Sequence, residues 1–310
     1  MPVQVTTTKS HPFIDGLKKL PDKKKELQKV RAWLLTQPHL PDISDEYIFL
    51  FLHACFYSVD RTKICIENYF TLRSSTPMIF AGRNAYDPKL QAMLQLAHLA
   101  RLPKLTPEGY RVLMYSLRDP DPTKMIFNDA VKGFCMYNDC ILSEDGLQDG
   151  YVIIFDMKGV SIGHLARVSL PALRAFLIYI QEAHPARLKS VHILNTASWI
   201  HHIMRIVVPM VKSDMLSLLK FHKGNTPEGI PLEILPMDYG GEAPTIQELD
   251  EEVKSLVDKY AVWLKETELF KTDESKRIKK TTWWGLLTGS NSKSTENMDE
   301  KTFLKNLQID

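Results

Sequence analysis

The chain has 310 residues, of which 44% are hydrophobic and 25% are charged. Its 39 lysines and arginines nearly balance its 37 aspartates and glutamates, which leaves a formal net charge of +2. This composition is typical of a globular protein with a sizeable core. It argues against a nucleic-acid partner and against a small disulfide-stabilised scaffold.

The four cysteines show no C-x-x-C pair and no histidines at zinc spacing, so we expect reduced structural thiols and no metal. The first 13 residues lack the apolar core of a secretory signal. The longest apolar stretch, "SWIHHIMRIVVPMV", is too short and too often interrupted by polar residues to cross a bilayer. Together these features favour a cytoplasmic protein without a cofactor.

Residues 1–85 predict a small all-helical domain. The segment "PDKKKELQKVRAWLLTQ" places Leu27, Val30 and Leu34 on one face, and "ISDEYIFLFLHAC" follows Ser44, a residue suited to an N-cap. A third helix is predicted over "DRTKICIENYFTLRSS". Three short helices with prolines at their joints would form a bundle.

Residues 86–270 alternate between short apolar runs and helical stretches. The runs are "YRVLMYSL", "YVIIFDM", "SVHILNT" and "LLKFHK". Because parallel strands need crossover connections of this length, the pattern predicts an α/β fold with a mainly parallel sheet and helices on its faces. A last amphipathic helix ends near Phe270, and residues 271–310 form a polar, basic tail.

The stretch G-V-S-I-G at 159–163 has the G-x-S-x-G spacing of a hydrolase nucleophile elbow, with Asp214 and His222 downstream. However, three residues separate the preceding strand from Gly159, and an upstream oxyanion-loop motif is missing. Glycine and serine also mark ordinary strand-to-helix turns. The turn is the favoured interpretation, and Ser161 as a nucleophile is the alternative.

The helix predicted over "SWIHHIMRIVV" is unusually apolar. Its polar residues Ser198, His201, His202 and Arg205 form one narrow stripe, and Pro209 follows as a candidate hinge. The adjacent histidines point about 100° apart, so they do not indicate a metal site. Such a helix covers a core, a cavity or a membrane interface, and periodicity alone favours the core.

Two further helical segments, "KGFCMYNDCIL" and "AFLIYIQEA", carry the large side chains Phe134, Tyr137, Phe176 and Tyr179. A roomy apolar pocket with few polar groups suits a lipid better than a charged metabolite. Tight packing of the same side chains into a solid core is the alternative.

The tail sequence "SKRIKKTTWWG" sets four cations beside Trp283 and Trp284, a combination that favours a lipid headgroup region. Docking of the two indoles back onto the protein is the alternative.

Several of these segments together resemble the CRAL-TRIO lipid-binding family, and within it the α-tocopherol transfer and retinaldehyde-binding group. The resemblance is carried by "RAWLLTQPHLP", "ENYFTLR", "FDMKGVSIGHL", "QEAHPARLKSVHILNTASW" and "LPMDYGG", in this order over most of the chain. The closing "EKTFLKNLQID" is similar to the end of insect members. The resemblance implies a helical N-terminal domain and an α/β domain whose sheet encloses an apolar pocket under a mobile gate helix, here Asn195 to Leu218.

The resemblance also implies site residues, and it gives Ser161 no catalytic role. The implied ligand-binding side chains are apolar or aromatic and come from the sheet, the wall helices and the gate: Phe134, Tyr137, Tyr151, Phe155, Val168, Phe176, Tyr179, Val191, Ile200, Ile203, Met204, Ile206, Val207 and Met210.

Membrane contact would involve Arg187 and Lys189, which keep part of the basic phosphoinositide pattern of tocopherol transfer proteins, together with Trp283 and Trp284. Other positions of that pattern carry no arginine or lysine: His53, Cys55, Asp214 and Leu218. The basic, Trp-bearing tail is therefore the alternative membrane contact. The cargo stays open among tocopherol, a retinoid, a carotenoid and a phospholipid, because Gly133 and Tyr137 replace the small polar residues that would orient a chromanol.

Three functional hypotheses follow. The leading one is a monomeric, non-enzymatic carrier that transfers a hydrophobic small molecule between membranes. The second is a CRAL-TRIO scaffold or membrane adaptor without cargo, for which a filled core with no extractable ligand would be evidence. The third is a hydrolase, for which fluorophosphonate labelling that is lost in Ser161→Ala would be evidence.

Overall fold

The computed structural model describes residues 22–196 and 200–278, and its N-terminal region is helical as predicted. Ser44 is the N-cap of the second helix, where its hydroxyl accepts the Tyr47 N–H at 3.2 Å and two acids occupy the first turn. Two short helices beyond the three predicted ones each begin at a proline. The five helices are α1 (Lys24–Leu34), α2 (Asp45–Ala54), α3 (Val59–Ser75), α4 (Pro77–Phe80) and α5 (Pro88–Leu94).

The second region is built on a five-stranded sheet with strand order β1-β2-β3-β4-β5. Strand β1 is antiparallel to β2, and the other pairs are parallel, which confirms the predicted α/β class. Four strands coincide with the four predicted runs. The fifth, β1, has the sequence AHLAR, whose residues have low β-propensity, and pairing with β2 overrides that preference. The strands are β1 (Ala97–Arg101), β2 (Arg111–Leu117), β3 (Tyr151–Asp156), β4 (Leu188–Leu194) and β5 (Leu219–Phe221).

Each parallel pair is joined by a helical crossover, and the strands follow one another in chain order. Because such crossovers are right-handed, all of these helices lie on one face of the sheet. They are α6 (Phe127–Asp145), α7 (Ile162–Leu165), α8 (Leu170–Glu182), α9 (Ile200–Val207) and α10 (Ser213–Leu216).

The opposite face of the sheet is covered by the two 3₁₀ turns Leu232–Ile234 and Met237–Tyr239 and by helix α11 (Ile246–Lys259). Alternation along the strands separates the two faces. In β3, Val152 and Ile154 belong to the closed core on this side, whereas their neighbours face the crossover helices.

The chain then returns to the helical region through α12 (Ala261–Glu266). Trp263 is 1% exposed, and the ring of Phe270 lies 6.4 Å from that of Tyr47. The first residues of the predicted tail also pack here, since the backbone N–H of Thr272 donates to the carbonyl of Phe70 at 3.3 Å. The core of the helical region therefore includes side chains from near both ends of the described chain.

A buried ion cluster connects this helical region to α6. Both Arg73 and Arg83 donate to one carboxylate oxygen of Asp139, at 2.7 and 2.5 Å. The three side chains are at most 3% exposed. Arg73 also donates to the hydroxyl of Tyr69, which accepts a second hydrogen bond from Tyr47. The cluster fixes the position of α6 from the side away from the sheet.

We expect Asp139→Ala to lower the free energy of unfolding by about 3–5 kcal/mol, because two buried guanidinium groups lose their counter-charge. Urea denaturation followed by circular dichroism measures the loss. Asp42→Ala is the matched control: this carboxylate is 83% exposed and pairs with Arg31 at 3.5 Å, so its removal should cost less than about 1 kcal/mol. Equal losses in the two variants would contradict the assigned role of the cluster.

Candidate ligand-binding cavity

A cavity of about 280 Å³ lies between the sheet, helices α6 and α8, and the segment that joins β4 to β5. This volume is close to the lower end of the range of about 300–1,000 Å³ for small-molecule sites. The floor is formed by the strand side chains that alternate with the closed core: Leu113, Tyr151, Ile153, Phe155, Leu188, Val191, Ile193 and Leu219.

The two wall helices contribute mainly large apolar side chains, and the lining residues from α6 and α8 are Phe134, Asn138, Ile141, Leu142, Phe176, Leu177, Ile180 and Gln181. Aromatic rings meet where wall and floor join. The ring of Phe134 lies 5.4 Å from that of Phe176 in an edge-to-face contact, and 4.9 Å from that of Tyr115. Met157, which follows β3, and His184 and Ala186, which precede β4, complete the lining.

The third side of the cavity is closed by α9 and the residues that follow it. Ile200, Ile203, Met204 and Val207 stand at helical spacing and line the cavity, and they are followed by Val211 and Met215. On the other side of α9, His201 and Arg205 of the predicted polar stripe are exposed. Ser198 of that stripe lies outside the described residues.

Helix α9 ends in a 3₁₀ turn, Val208–Met210, that contains Pro209. Beyond this turn the chain is attached to α8. Gln181 donates to the carbonyl of Met210 at 3.2 Å and accepts the N–H of Lys212 at 2.8 Å. At the other end of the segment, Asn195 donates its side-chain amide to Asp156 at 2.7 Å, with a positive φ of 50°. Within the described residues, the predicted single gate helix consists of two helices, α9 and α10, and the 3₁₀ turn between them. Hydrogen bonds attach this segment to Asp156 at its start and to Gln181 after the turn.

Nine of the fourteen predicted ligand-binding residues line the cavity: Phe134, Tyr151, Phe155, Phe176, Val191, Ile200, Ile203, Met204 and Val207. Their contact with a ligand stays a prediction. Residues missed by the sequence analysis include Ile153 and Ile193, which stand two positions from Phe155 and Val191 on the same strand faces. Strand periodicity could have identified both.

The other five predicted residues do not line the cavity. Tyr137 is fully buried and turns its ring toward Tyr115, 6.1 Å away. Tyr179 lies behind the wall, with its ring 5.0 Å from that of Phe80 in the helical region. Ile206 is 4% exposed and lies about 100° around α9 from Val207. The remaining two, Val168 and Met210, are half-buried in the connections that flank the wall and the gate.

Ser161 is the N-cap of the short helix α7. Its hydroxyl and its backbone N–H both bond to Nδ1 of His164, at 3.0 and 3.1 Å, which closes a capping box. Gly159 has a φ of +83°, and a Cβ on Gly163 would lie 2.8 Å from Pro122. Gly159 is therefore favoured by its backbone conformation, and Gly163 is favoured because a side chain has no space there. Both are expected of a structural turn.

The downstream partners that a triad would need are engaged elsewhere. His222 stacks on His192 on the face of the sheet away from the cavity, with Nε2 and Nδ1 3.1 Å apart. Burial lowers the pKa of His192 to about 4, so this histidine is neutral at physiological pH. Among the described residues, no group of three His, Cys, Asp or Glu side chains is arranged to hold a metal ion.

The predicted basic contacts Arg187 and Lys189 lie beside aromatic rings. The guanidinium of Arg187 stands 4.3 Å from the ring centre of Phe56, and the ammonium of Lys189 stands 4.8 Å from that of Tyr110. Arg187 also donates to the carbonyl of His53 at 2.8 Å. Both cations are thus partly engaged within the protein.

Trp283 and Trp284 lie outside the described residues. Of the cations that precede them, Arg277 forms ion pairs with Glu67 and Glu274, and Lys276 pairs with Asp273 at 3.0 Å. Within 22–196 and 200–278, the structure has no helix long and apolar enough to span a bilayer.

Two family models match parts of the chain. Residues 98–241 match the model of the CRAL/TRIO domain, and residues 20–90 match a model described as Pinta-like, UBA domain. The crystal structure of Sfh5 aligns with a TM-score of 0.45 at 11% identity, over 74% of this chain and 92% of that chain.

Two relatives align over most of the chain. Clavesin-2 of Homo sapiens is 23% identical over 260 residues, which are 78% of this chain and 80% of that protein. A Mus musculus protein named alpha-tocopherol transfer protein-like is 27% identical over 205 residues, which are 65% of this chain and 59% of that protein. Residues 98–241 are therefore a domain of the CRAL-TRIO family of lipid-binding proteins.

Proposed function

We propose that the protein is a non-enzymatic carrier that binds one hydrophobic small molecule in the cavity and transfers it between membranes. The observation that carries this proposal is the cavity itself, which is lined almost entirely by apolar side chains and lies in the CRAL/TRIO domain. A tocopherol, a retinoid, a carotenoid or a phospholipid acyl region would each match that lining. A relative's name, alpha-tocopherol transfer protein-like, is consistent with this class of cargo.

The energetics of the cavity support a ligand. An apolar void destabilises a protein by about 24 cal/mol per Å³, which is about 7 kcal/mol for 280 Å³. An apolar ligand restores the missing contacts and stabilises the folded state by mass action. The unfilled space also favours a carrier over a cargo-free scaffold, since a scaffold would gain stability from a closed core.

The segment Asn195 to Leu218 is the proposed gate. Its apolar lining residues close the cavity, while Val208 of this segment and Phe221 of the following strand β5 are 43% and 44% exposed. A membrane offers the inner face an apolar environment, so opening at a bilayer surface costs less than opening in water. We therefore propose a monomeric cytoplasmic protein that contacts membranes peripherally and transiently.

Arg187 and Lys189 are weaker candidates for phosphoinositide contact than their sequence pattern indicates. Both cations already contact aromatic rings, and Arg187 also donates to a backbone carbonyl. The basic segment with Trp283 and Trp284 is the other proposed membrane contact. Arg277 is directed to Glu67 within the protein, which leaves the residues after it for this role.

We expect Ile153→Trp to reduce the bound lipid from near one per protein to a small fraction, because the indole fills the cavity floor. Mass spectrometry of an organic extract from the protein purified from its native tissue measures the content and identifies the cargo. Ile64→Trp is the matched control, since Ile64 is 58% exposed on α3 and its replacement leaves the cavity unchanged.

Loss of lipid in Ile153→Trp alone would support the carrier. A wild-type extract that stays empty, including after incubation with tocopherol, retinoids and phospholipids, would contradict the carrier and favour the scaffold.

We expect the double variant Trp283→Ala and Trp284→Ala to lose binding to phosphatidylcholine vesicles that contain anionic lipid, because interfacial indoles and nearby cations anchor a protein at the headgroups. Vesicle sedimentation measures the bound fraction. Trp33→Ala, at a half-buried position of α1, is the control for general loss of an indole. Unchanged sedimentation of the double variant would contradict a membrane role for the tail.

A further inference from the structure

The cavity lining contains few polar side chains, and two of them form hydrogen bonds with the protein through both nitrogen and oxygen. The amide nitrogen of Asn138 donates to the carbonyl of Phe134 at 2.7 Å, and its oxygen accepts from the hydroxyl of Tyr115 at 3.3 Å. Gln181 donates to two backbone carbonyls, those of Leu177 and Met210, and its oxygen accepts a backbone N–H. Each amide is thus oriented by the protein on both its nitrogen and its oxygen side.

His184 differs from these two amides. It follows the C-terminal end of α8, and its backbone N–H donates to the carbonyl of Tyr179 at 2.8 Å. Its Nδ1 bonds to the hydroxyl of the same tyrosine at 3.1 Å, and the two rings lie 5.2 Å apart. Within the described part of the chain, its Nε2 has no hydrogen-bond partner. This nitrogen keeps some accessible surface. His184 is also one of the residues that line the cavity, which places a ring nitrogen without a described protein partner at the cavity wall.

The contact with Tyr179 decides where the imidazole proton sits. The phenol stays protonated, since burial raises its pKa well above the ordinary value. In the region described, this hydroxyl has no acceptor other than Nδ1, so it donates to that nitrogen. The proton of the neutral ring is therefore on Nε2, and the cavity receives an N–H donor.

The charge state of the ring suits an apolar cavity. Burial lowers the pKa of His184 to about 4, against a smaller raising effect of the Asp139 carboxylate and with a smaller lowering effect of Arg73. The ring is neutral near pH 7, so a ligand meets a hydrogen-bond donor without a charge. The cost of leaving such a donor unpaired in an apolar space disappears when a ligand oxygen accepts from it.

We propose that His184 is a specificity-determining residue that selects lipids with a hydrogen-bond acceptor oxygen, such as an ester, aldehyde, ketone or hydroxyl group, over plain hydrocarbons. This inference rests on the proposed carrier function and adds the polar end of the cargo to it. Tyr179, which the sequence analysis placed in the pocket, acts from behind the wall as a positioning residue for the imidazole.

The test is competitive loading from phosphatidylcholine vesicles that contain equal amounts of an ester and a matched hydrocarbon. Methyl palmitate with nonadecane is a linear pair, and phytyl acetate with phytane is a branched pair. After separation from the vesicles, mass spectrometry gives the ester-to-hydrocarbon ratio and the total lipid per protein. We expect His184→Phe to lower that ratio about fivefold at unchanged total lipid, the effect of one neutral hydrogen bond.

Three further variants separate recognition from general damage. Tyr179→Phe keeps the ring and frees Nδ1, so the ratio should fall part of the way. His184→Gln retains an N–H donor and should restore part of the preference. His98→Phe changes a half-buried histidine on β1 that is not part of the cavity lining, and it should leave both readouts unchanged.

The outcomes distinguish the two proposals. Normal total lipid with an unchanged ratio in His184→Phe overturns the role of His184 and leaves the carrier function intact. If the wild-type protein takes up neither pair and also yields an empty native extract, the carrier function and the role of His184 both fail.

Discussion

The structure depends on an apolar cavity that the side chains of the surrounding elements do not fill. Hydrophobic side chains normally collapse onto one another, so a cavity persists only when its walls are fixed from outside. Here the Asp139 cluster holds α6 against the helical region through Arg73 and Arg83. Asn195 attaches the start of the gate segment to the sheet through Asp156. Gln181 attaches the chain after α9 to α8. Polar contacts behind the walls thus maintain an apolar interior.

The sheet separates a closed core from the open cavity. On one face, Val152 and Ile154 pack under α11 and the turns before it. On the other, their neighbours Ile153 and Phe155 form the cavity floor. A single alternating sequence therefore serves both stability and binding. Since β2 to β5 run in chain order, every crossover helix falls on the cavity side, and the third crossover is the only one within the described chain that carries the proposed gate.

The distribution of polar groups around the cavity is consistent with a carrier. Asn138 and Gln181 form hydrogen bonds with the protein through both nitrogen and oxygen, so the walls offer a hydrocarbon mainly apolar surface. His184 leaves one nitrogen for the cargo and precedes β4, whose residues Leu188, Val191 and Ile193 form part of the floor. A lipid with one oxygenated end would place that end at His184 and its hydrocarbon along the remaining lining.

Periodicity, capping residues and glycine positions are local signals, and the sequence contains them in full. They were enough to predict the fold class, four of the five strands, the helical N-terminal region and the structural role of the G-x-S-x-G turn. The sequence also indicated an apolar wall and gate. Tertiary structure decided what local patterns do not contain: the pairing that makes AHLAR a strand, and the direction in which each aromatic ring points. Tyr137 and Phe134 stand three residues apart on neighbouring positions of one helix, yet only Phe134 lines the cavity, because the Tyr137 ring packs toward Tyr115 in the core. The role of His184 depends on its contact with Tyr179 and on the cavity beside it, which the chain creates only once α8 packs over the sheet.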